Sequence, residues 1–320
     1  MNIYHHLNEL PDTPVIATIG NFDGVHRGHC WVIAEVIARA RTLGSRSLAI
    51  TFDPHPARVL RPAAPHTLIT PLVRKLELLA ATGIDATLVL PFDQVFSRLP
   101  ARDFATTILR DAVHATEVHE GENFHFGFNA EANIDSLQSL GQELGFAVRI
   151  FAPQILRGQV VSSSRIRHLL TAGDVGHARA LLGRPFSIDS TPAPGRGYGS
   201  RFTVPTINLA PYPELLPANG VYVTTLRVAD ETFEAVTNIG NRPTFGADSF
   251  TVESHLLNFH PVQLDEQTPL RLTFLKRLRA EHRFPSPEAL KTQIGLDVTR
   301  ARRLFNLCGT LAAPFAMHHK

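Results

Sequence analysis

A short apolar strand that runs into a glycine-punctuated turn and then into a long amphipathic helix restricts this chain more than any other feature. Val15-Ile16-Ala17-Thr18-Ile19 is apolar and rich in β-branched residues, as a strand buried on both faces of a parallel sheet requires. Gly20, Gly24 and Gly28 then allow a tight turn and close backbone approach to a ligand. From Trp31 onward, Ile33, Val36, Ile37, Ala40 and Leu43 recur at helical spacing, so a helix is expected to start near Gly28 or His29 and to end at Gly44. The first amides of such a helix lack internal partners and lie at the positive end of its dipole, which makes a seat for phosphate. His26 and His29, three residues apart in the turn, add donors on the same side. Two histidines are also half of a metal site, but zinc needs a third or fourth ligand, and no Cys or His cluster at a recognisable spacing stands near them. The glycine frame is neither the dinucleotide fingerprint nor a Walker A loop, because no Lys-Ser/Thr follows it.

Composition narrows the class without choosing the chemistry. With 31 basic and 29 acidic residues in 320, the formal charge is +2, which gives no general electrostatic case for a nucleic-acid or membrane partner. Cys30 and Cys308 are the two cysteines, too few for a disulfide framework and suited to a reducing cytoplasm. Glu9, Pro11 and Asp12 interrupt any signal-peptide core, and no apolar run reaches the length of a membrane span.

The pattern changes near residue 185, so we expect domains over 1–186 and 187–310 with a tail over 311–320. Before the change, strands at Ser47 to Phe52, Thr87 to Leu90, Glu117 to His119 and Ala147 to Phe151 alternate with helical stretches. One of these stretches runs from Leu72 to Thr82, with Thr70 as its cap and Pro71 at its first position. The expected architecture is a doubly wound α/β domain. After it, Val221 to Val228, Ala235 to Ile239, Val252 to Leu257 and Leu270 to Leu278 follow without long helices, as in a small antiparallel barrel or sandwich. A terminal helix starts at Ser286-Pro287-Glu288, with Leu290, Ile294, Val298, Ala301 and Phe305 as its apolar face.

A second motif, Ser162-Ser163-Ser164-Arg165-Ile166-Arg167, places hydroxyls at a helix entrance and arginines in its first turn. The pair His26-Arg27-Gly28-His29 and Ser163-Ser164-Arg165-Ile166-Arg167 resembles the His-x-Gly-His and Ser-Ser/Thr-x-x-Arg signatures of nucleotidylyltransferases, in the same order. Further segments extend the likeness: Thr51-Phe52-Asp53-Pro54-His55-Pro56, Gly121-Glu122-Asn123-Phe124, Asn238-Ile239-Gly240-Asn241-Arg242-Pro243 and Val252-Glu253-Ser254-His255. From about Val15 to Phe305 the chain resembles the prokaryotic bifunctional riboflavin kinase/FAD synthetase family.

The resemblance implies an N-terminal FMN adenylyltransferase and a C-terminal β-barrel riboflavin kinase, with riboflavin, FMN and ATP as substrates and Mg²⁺ as the metal. In the first domain it implies that His26 and His29 stabilise the α-phosphate and that Arg167 neutralises departing pyrophosphate. Gly20, Phe22, Gly28, Ser163, Ser164 and Arg165 would surround the ATP phosphates, and Asn123, Asp53 and His55 would contact substrate. In the second it implies Thr206 and Asn208 as metal ligands and Glu253 as general base. Alternation alone sets Glu253 with Thr251 and His255 on a face away from Val252 and Leu256. The stretch Ser200 to Ile207 departs from the family pattern, so the alternative is a monofunctional adenylyltransferase with a flavin-binding, non-catalytic second domain. Class I aminoacyl-tRNA synthetases share a similar histidine motif, but their lysine-rich loop is missing.

Overall fold

β-Branched, apolar strands give the first part of the chain an all-parallel six-stranded sheet, in a computed structural model that describes residues 1–64, 66–193, 206–241, 250–262 and 264–308. Its elements are β1 (Asn2–Tyr4), β2 (Val15–Ile19), α1 (Arg27–Leu43), β3 (Arg46–Asp53), α2 (Pro56–Leu60), α3 (Leu72–Ala80), β4 (Ala86–Pro91), β5 (Ala115–Gly121), α4 (Ile134–Leu144) and β6 (Ala147–Phe151). The strand order is β1-β4-β3-β2-β5-β6. Every residue of β2 is buried, as expected for the centre of a covered parallel sheet. The order runs outward from β2 through β3 on one side and from β5 through β6 on the other. The topological switch point therefore lies between β2 and β5, where open α/β sheets bind ligands beyond their strand ends.

Two expected helix boundaries are corrected. α1 begins at Arg27 rather than at Gly28 or His29, because the His26 side chain itself supplies the cap; it ends at Gly44 in the left-handed conformation, φ 63°. Thr70 does not cap α3. Pro71 holds the N-cap position, and the Thr70 hydroxyl instead accepts the Gly24 N–H at 2.9 Å.

The chain divides into compact units at Arg165/Ile166. A hairpin of β7 (Ile155–Leu156) and β8 (Gln159–Val160) precedes the boundary, which falls inside α5 (Ser163–Thr171). The second unit continues with α6 (Val175–Leu182), β9 (Phe186–Ser190), β10 (Thr206–Leu209), β11 (Gly220–Val228), β12 (Glu231–Asn241), β13 (Phe250–Leu256), β14 (Leu270–Ala280) and α7 (Pro287–Cys308). Its strands pair antiparallel in the order β9-β14-β11-β12-β13-β10. A bridge between Pro192 and Leu209 joins the two edges, so the sheet curls into a barrel. Among the described residues Tyr222, Phe233 and Phe274 are its largest fully buried side chains. α7 covers the outside, where Ala301 and Phe305 pack with Val221, Val223 and Val236.

The expected apolar face of α7 holds only toward its end, since Leu290 and Ile294 remain 41% and 45% exposed. Its middle is anchored by polar contacts instead: buried Asp297 accepts from Arg279 Nε and Gln293 Nε2, each at 2.9 Å. Among the described residues no helix is long and apolar enough to cross a membrane.

α6 belongs to the barrel's packing through buried Val175, Ala178, Leu181 and Leu182. At the turn ahead of it Gly173, φ 79°, leaves no space for a Cβ against the Arg277 guanidinium, whose Nη1 donates to the Ala172 carbonyl at 3.2 Å. A fragment starting at Ser163 is therefore expected to melt cooperatively. One starting at Ser187 loses two buried leucines, worth about 2–5 kcal/mol each, and is expected to melt lower by roughly 8 °C or more, at about 2–4 °C per kcal/mol. Equal melting temperatures would show that α6 adds nothing to the barrel.

Candidate active site

The loop that leaves β2 at the switch point holds Phe22, Gly24 and Val25 at positive φ (46°, 88° and 36°). For the two non-glycine residues this costs about 1–3 kcal/mol each, a strain that persists only where the surroundings enforce it. Here Phe22 and Val25 are buried at 3% and 1% exposure, and the Phe22 ring meets His29 edge-on at 5.2 Å. His26 and His29 cap α1 reciprocally: His26 Nδ1 accepts the His29 N–H at 3.3 Å, and His29 Nδ1 accepts the His26 N–H at 3.4 Å. Their rings stack with centroids 3.5 Å apart. Because each Nδ1 is an acceptor, the proton of each neutral imidazole resides on Nε2, so the cap turns both rings into donors. Gly28 leaves room for them, since a Cβ there would stand 3.2 Å from the His26 ring and press on it.

These groups open on a crevice of about 410 Å³, a size suited to a small-molecule ligand. Of the residues singled out in the sequence, it brings together Gly20, Phe22, His26, Gly28, His29, Asn123, Ser163 and Ser164. Trp31 and Phe151, packed edge to face at 5.4 Å, add aromatic surface to its wall.

Asp23, which the sequence reading passed over, joins the two motifs. Its main-chain carbonyl accepts the Ser163 hydroxyl at 2.8 Å, across 140 residues. Its Oδ1 accepts the Ile69 and Thr70 N–H groups at 2.9 and 3.1 Å. Lys75 supports the same loop from below: Nζ donates to Asn21 O, Thr51 Oγ1 and Phe52 O at 3.3, 2.9 and 3.2 Å. Burial pushes its pKa down to about 8 against the opposing pull of Asp23 and Asp53. A lysine on a helix reads as a solvated residue in sequence, so no local signal marks it.

The structure does not bring Asp53 and His55 into the crevice. They line a second cavity with Asn21, Asp23, Thr70 and Lys75, of about 10 Å³, room for about one water. Potential ligand atoms of Asp23, His55 and His66 lie within 4.8 Å of one another, a grouping the sequence spacing hid. Its chemistry fits a cation poorly. The Lys75 ammonium lines the same cavity, and His55 Nδ1 accepts the Ala57 N–H at 3.1 Å, which leaves the ring proton on Nε2.

Arg165 donates from Nε to Gln159 Oε1 of β8 at 2.8 Å. Arg167 lies on α5 four residues after Ser163, hence on the same helix face. In the barrel, register places Thr206 opposite His255 and Asn208 opposite Glu253, with Asn238 opposite Glu253 on its other side. Directly opposed residues share a sheet face, so Thr206, Asn208, Glu253, His255 and Asn238 form one polar surface. The other face of β13 is buried through Val252, Ser254 and Leu256, and there Thr237 Oγ1 meets Thr224 Oγ1 and Ser254 Oγ at 2.7 and 2.8 Å. Burial and Arg302 hold the His255 pKa below its ordinary value, with Glu253 opposing. Pro205 and the departing stretch from Ser200 fall outside the described residues, as does Arg242 to Gly246.

Removing the Asp23 carboxylate strands two buried N–H donors, at about 1–3 kcal/mol each. Asp23→Ala is expected to lower the first unit's melting temperature by roughly 5 °C or more, and Asp23→Asn, which keeps the Oδ1 acceptor, by less than half as much. Equal losses for the two variants would contradict this role.

Known proteins resemble this chain in both units. The FAD synthetase family model matches residues 9–165 and the riboflavin kinase family model residues 182–305. The second match spans the altered stretch around Ser200, so a non-catalytic second domain is not favoured. A bifunctional riboflavin kinase/FMN adenylyltransferase from Pseudomonas fluorescens is 38% identical over 90% of this chain and 92% of its own length. The protein of the same name from Escherichia coli K12 is 32% identical over 95% of this chain and 96% of its own. A crystal structure titled as a macrolide-efflux protein from Streptococcus pneumoniae shares the fold, with a TM-score of 0.82 and 23% identity over 94% of this chain and 98% of that one. With both domain models matched in order and relatives aligned along nearly its whole length, this chain belongs to the bifunctional riboflavin kinase/FMN adenylyltransferase family.

Proposed function

We propose that the two ATP-consuming steps of this enzyme are divided between its units, with adenylyl transfer in the crevice between β2 and β5 and phosphorylation on the polar face of the barrel. The convergence of His26, His29, Ser163 and Ser164 on one crevice carries this assignment. There the FMN phosphate oxygen attacks the α-phosphorus of ATP, the bond to the β-phosphate oxygen breaks, and FAD and pyrophosphate leave. The Nε2–H groups of His26 and His29 donate to the α-phosphate as charge builds on it. The Ser164 hydroxyl and the first amides of α5 hold the β- and γ-phosphates, while the Ser163 hydroxyl, donated to Asp23 O, fixes that helix start against the motif loop, and Arg167 neutralises the leaving group. Gly20, Phe22 and Gly28 shape the floor, while Arg165 steadies the β7–β8 hairpin through Gln159. Asn123 orients substrate at the rim. Asp53 and His55, set in the small cavity, stiffen the motif loop rather than touch nucleotide.

In the kinase, the Thr206 hydroxyl and the Asn208 amide oxygen are hard donors that suit Mg²⁺. Bound there, Mg²⁺ would supply charge neutralisation for ATP phosphates. Glu253, between Asn208 and Asn238, accepts the proton of the riboflavin 5′-hydroxyl as that oxygen attacks the γ-phosphorus. The small net charge and the pair of cysteines support a cytoplasmic enzyme of small substrates, without a nucleic-acid or membrane partner.

Incubation with riboflavin, ATP and Mg²⁺, followed by separation of the flavins, tests the assignment. The wild type is expected to give FAD through FMN. His29→Ala is expected to stop at FMN. Glu253→Gln is expected to lose about 10²- to 10⁴-fold of the kinase rate and still to make FAD from supplied FMN. Loss of both steps in a folded single variant would contradict the division.

A further inference from the structure

Strand β5 carries a carboxyl group into the crevice that neither the sheet ladder nor an ion pair accounts for. The β2–β5 ladder ends at Ala17 and Val118. Beyond it, the strands part and Oε1 of Glu120 takes over: it accepts the Ile19 N–H and, at 3.3 Å, the Thr18 hydroxyl. Glu120 is 4% exposed, yet it lines the crevice with Gly20, His26 and His29. Two donors fill Oε1, whereas Oε2 has no hydrogen-bond partner among the described residues.

We infer that Glu120 is a further ligand-contacting residue of the adenylyltransferase site, donating the proton of its Oε2 carboxylic-acid hydroxyl to an acceptor atom of a nucleotide held in the crevice. The inference rests on the reading of that crevice as the adenylyltransferase site. Oε1, accepting twice, is the carbonyl oxygen of the acid, so the proton belongs to Oε2. Burial raises the Glu120 pKa to about 8, with the Ile19 and Thr18 hydrogen bonds opposing only in part.

Among the described residues no cation pairs with Glu120 to offset that burial. Glu117 and His119 occupy the opposite face of β5, where they pair with each other at 3.1 Å and Glu117 pairs with Arg39 of α1 and Arg149 of β6. From the start of α1, His26 and His29 present imidazoles fixed by their mutual cap, and Glu122 is exposed at the rim. An ionised carboxylate here would repel the phosphates of ATP and FMN, whereas a neutral acid offers a donor to their phosphate oxygens or ring nitrogens.

KM values for ATP and for FMN, measured in FAD synthesis from pH 7 upward through the Glu120 pKa of about 8, test this. In the wild type, the KM of the contacted substrate is expected to climb as pH passes that value and the donor is lost; which KM climbs identifies whether ATP or FMN carries the acceptor. Glu120→Gln keeps an acceptor for Ile19 and a donor that does not titrate, so its KM is expected to stay flat across the range. Glu120→Val is expected to raise the same KM about tenfold at neutral pH, the loss of one hydrogen bond to a charged group. Should the valine variant not fold, the glutamine profile alone decides. Identical pH dependence of both KM values in the wild type and Glu120→Gln would overturn the inference and leave Glu120 a strand tether. A wild type that makes no FAD at all would remove the underlying reading and the inference with it.

Discussion

The hydrogen bonds of Asp23 are the constraint on which the adenylyltransferase unit depends. The residue stands in the turn of the histidine motif, yet its carbonyl receives the Ser163 hydroxyl and its carboxylate holds the backbone at Ile69 and Thr70. Three segments distant in sequence thereby meet at the end of β2. Strain in the loop at Phe22 and Val25 is tolerable only because this frame and the Lys75 contacts beneath it leave the backbone no alternative. The reciprocal histidine cap then follows from the loop's geometry, and with it the tautomer that makes both rings donors at the crevice.

The barrel solves its positioning problem by register instead. Glu253 faces Asn208 on one neighbouring strand and Asn238 on the other because the strands pair without a break there. A slip of one residue would exchange Glu253 for Ser254 and turn the polar surface into the core. The buried hydroxyl chain of Thr224, Thr237 and Ser254 resists such a slip, since moving any strand would leave hydroxyls unpaired inside the barrel.

Patterns that are local in sequence were readable in it. The buried strand Val15–Ile19, the helix closing at Gly44 and the alternation that separates Glu253 from Val252 all express short-range periodicity, and the structure bears them out. What sequence could not supply was long-range polar pairing. Thr70 looked like a helix cap until Gly24 claimed its hydroxyl. Leu290 and Ile294 fitted an apolar face, but Asp297 anchors that part of α7. Glu120 and Lys75 carry no local mark of burial, although a glutamate and a histidine within the expected strand Glu117 to His119, with Glu120 next after it, were a signal that this strand borders something polar.

A crystal structure with a non-hydrolysable ATP analogue tests most directly whether one crevice, built from two distant motifs around Asp23, performs adenylyl transfer. The account predicts the α-phosphate within hydrogen-bond reach of His26 and His29 Nε2, and the terminal phosphates on Ser164 and the start of α5. Triphosphate density elsewhere in this unit, with those side chains out of reach, would contradict it.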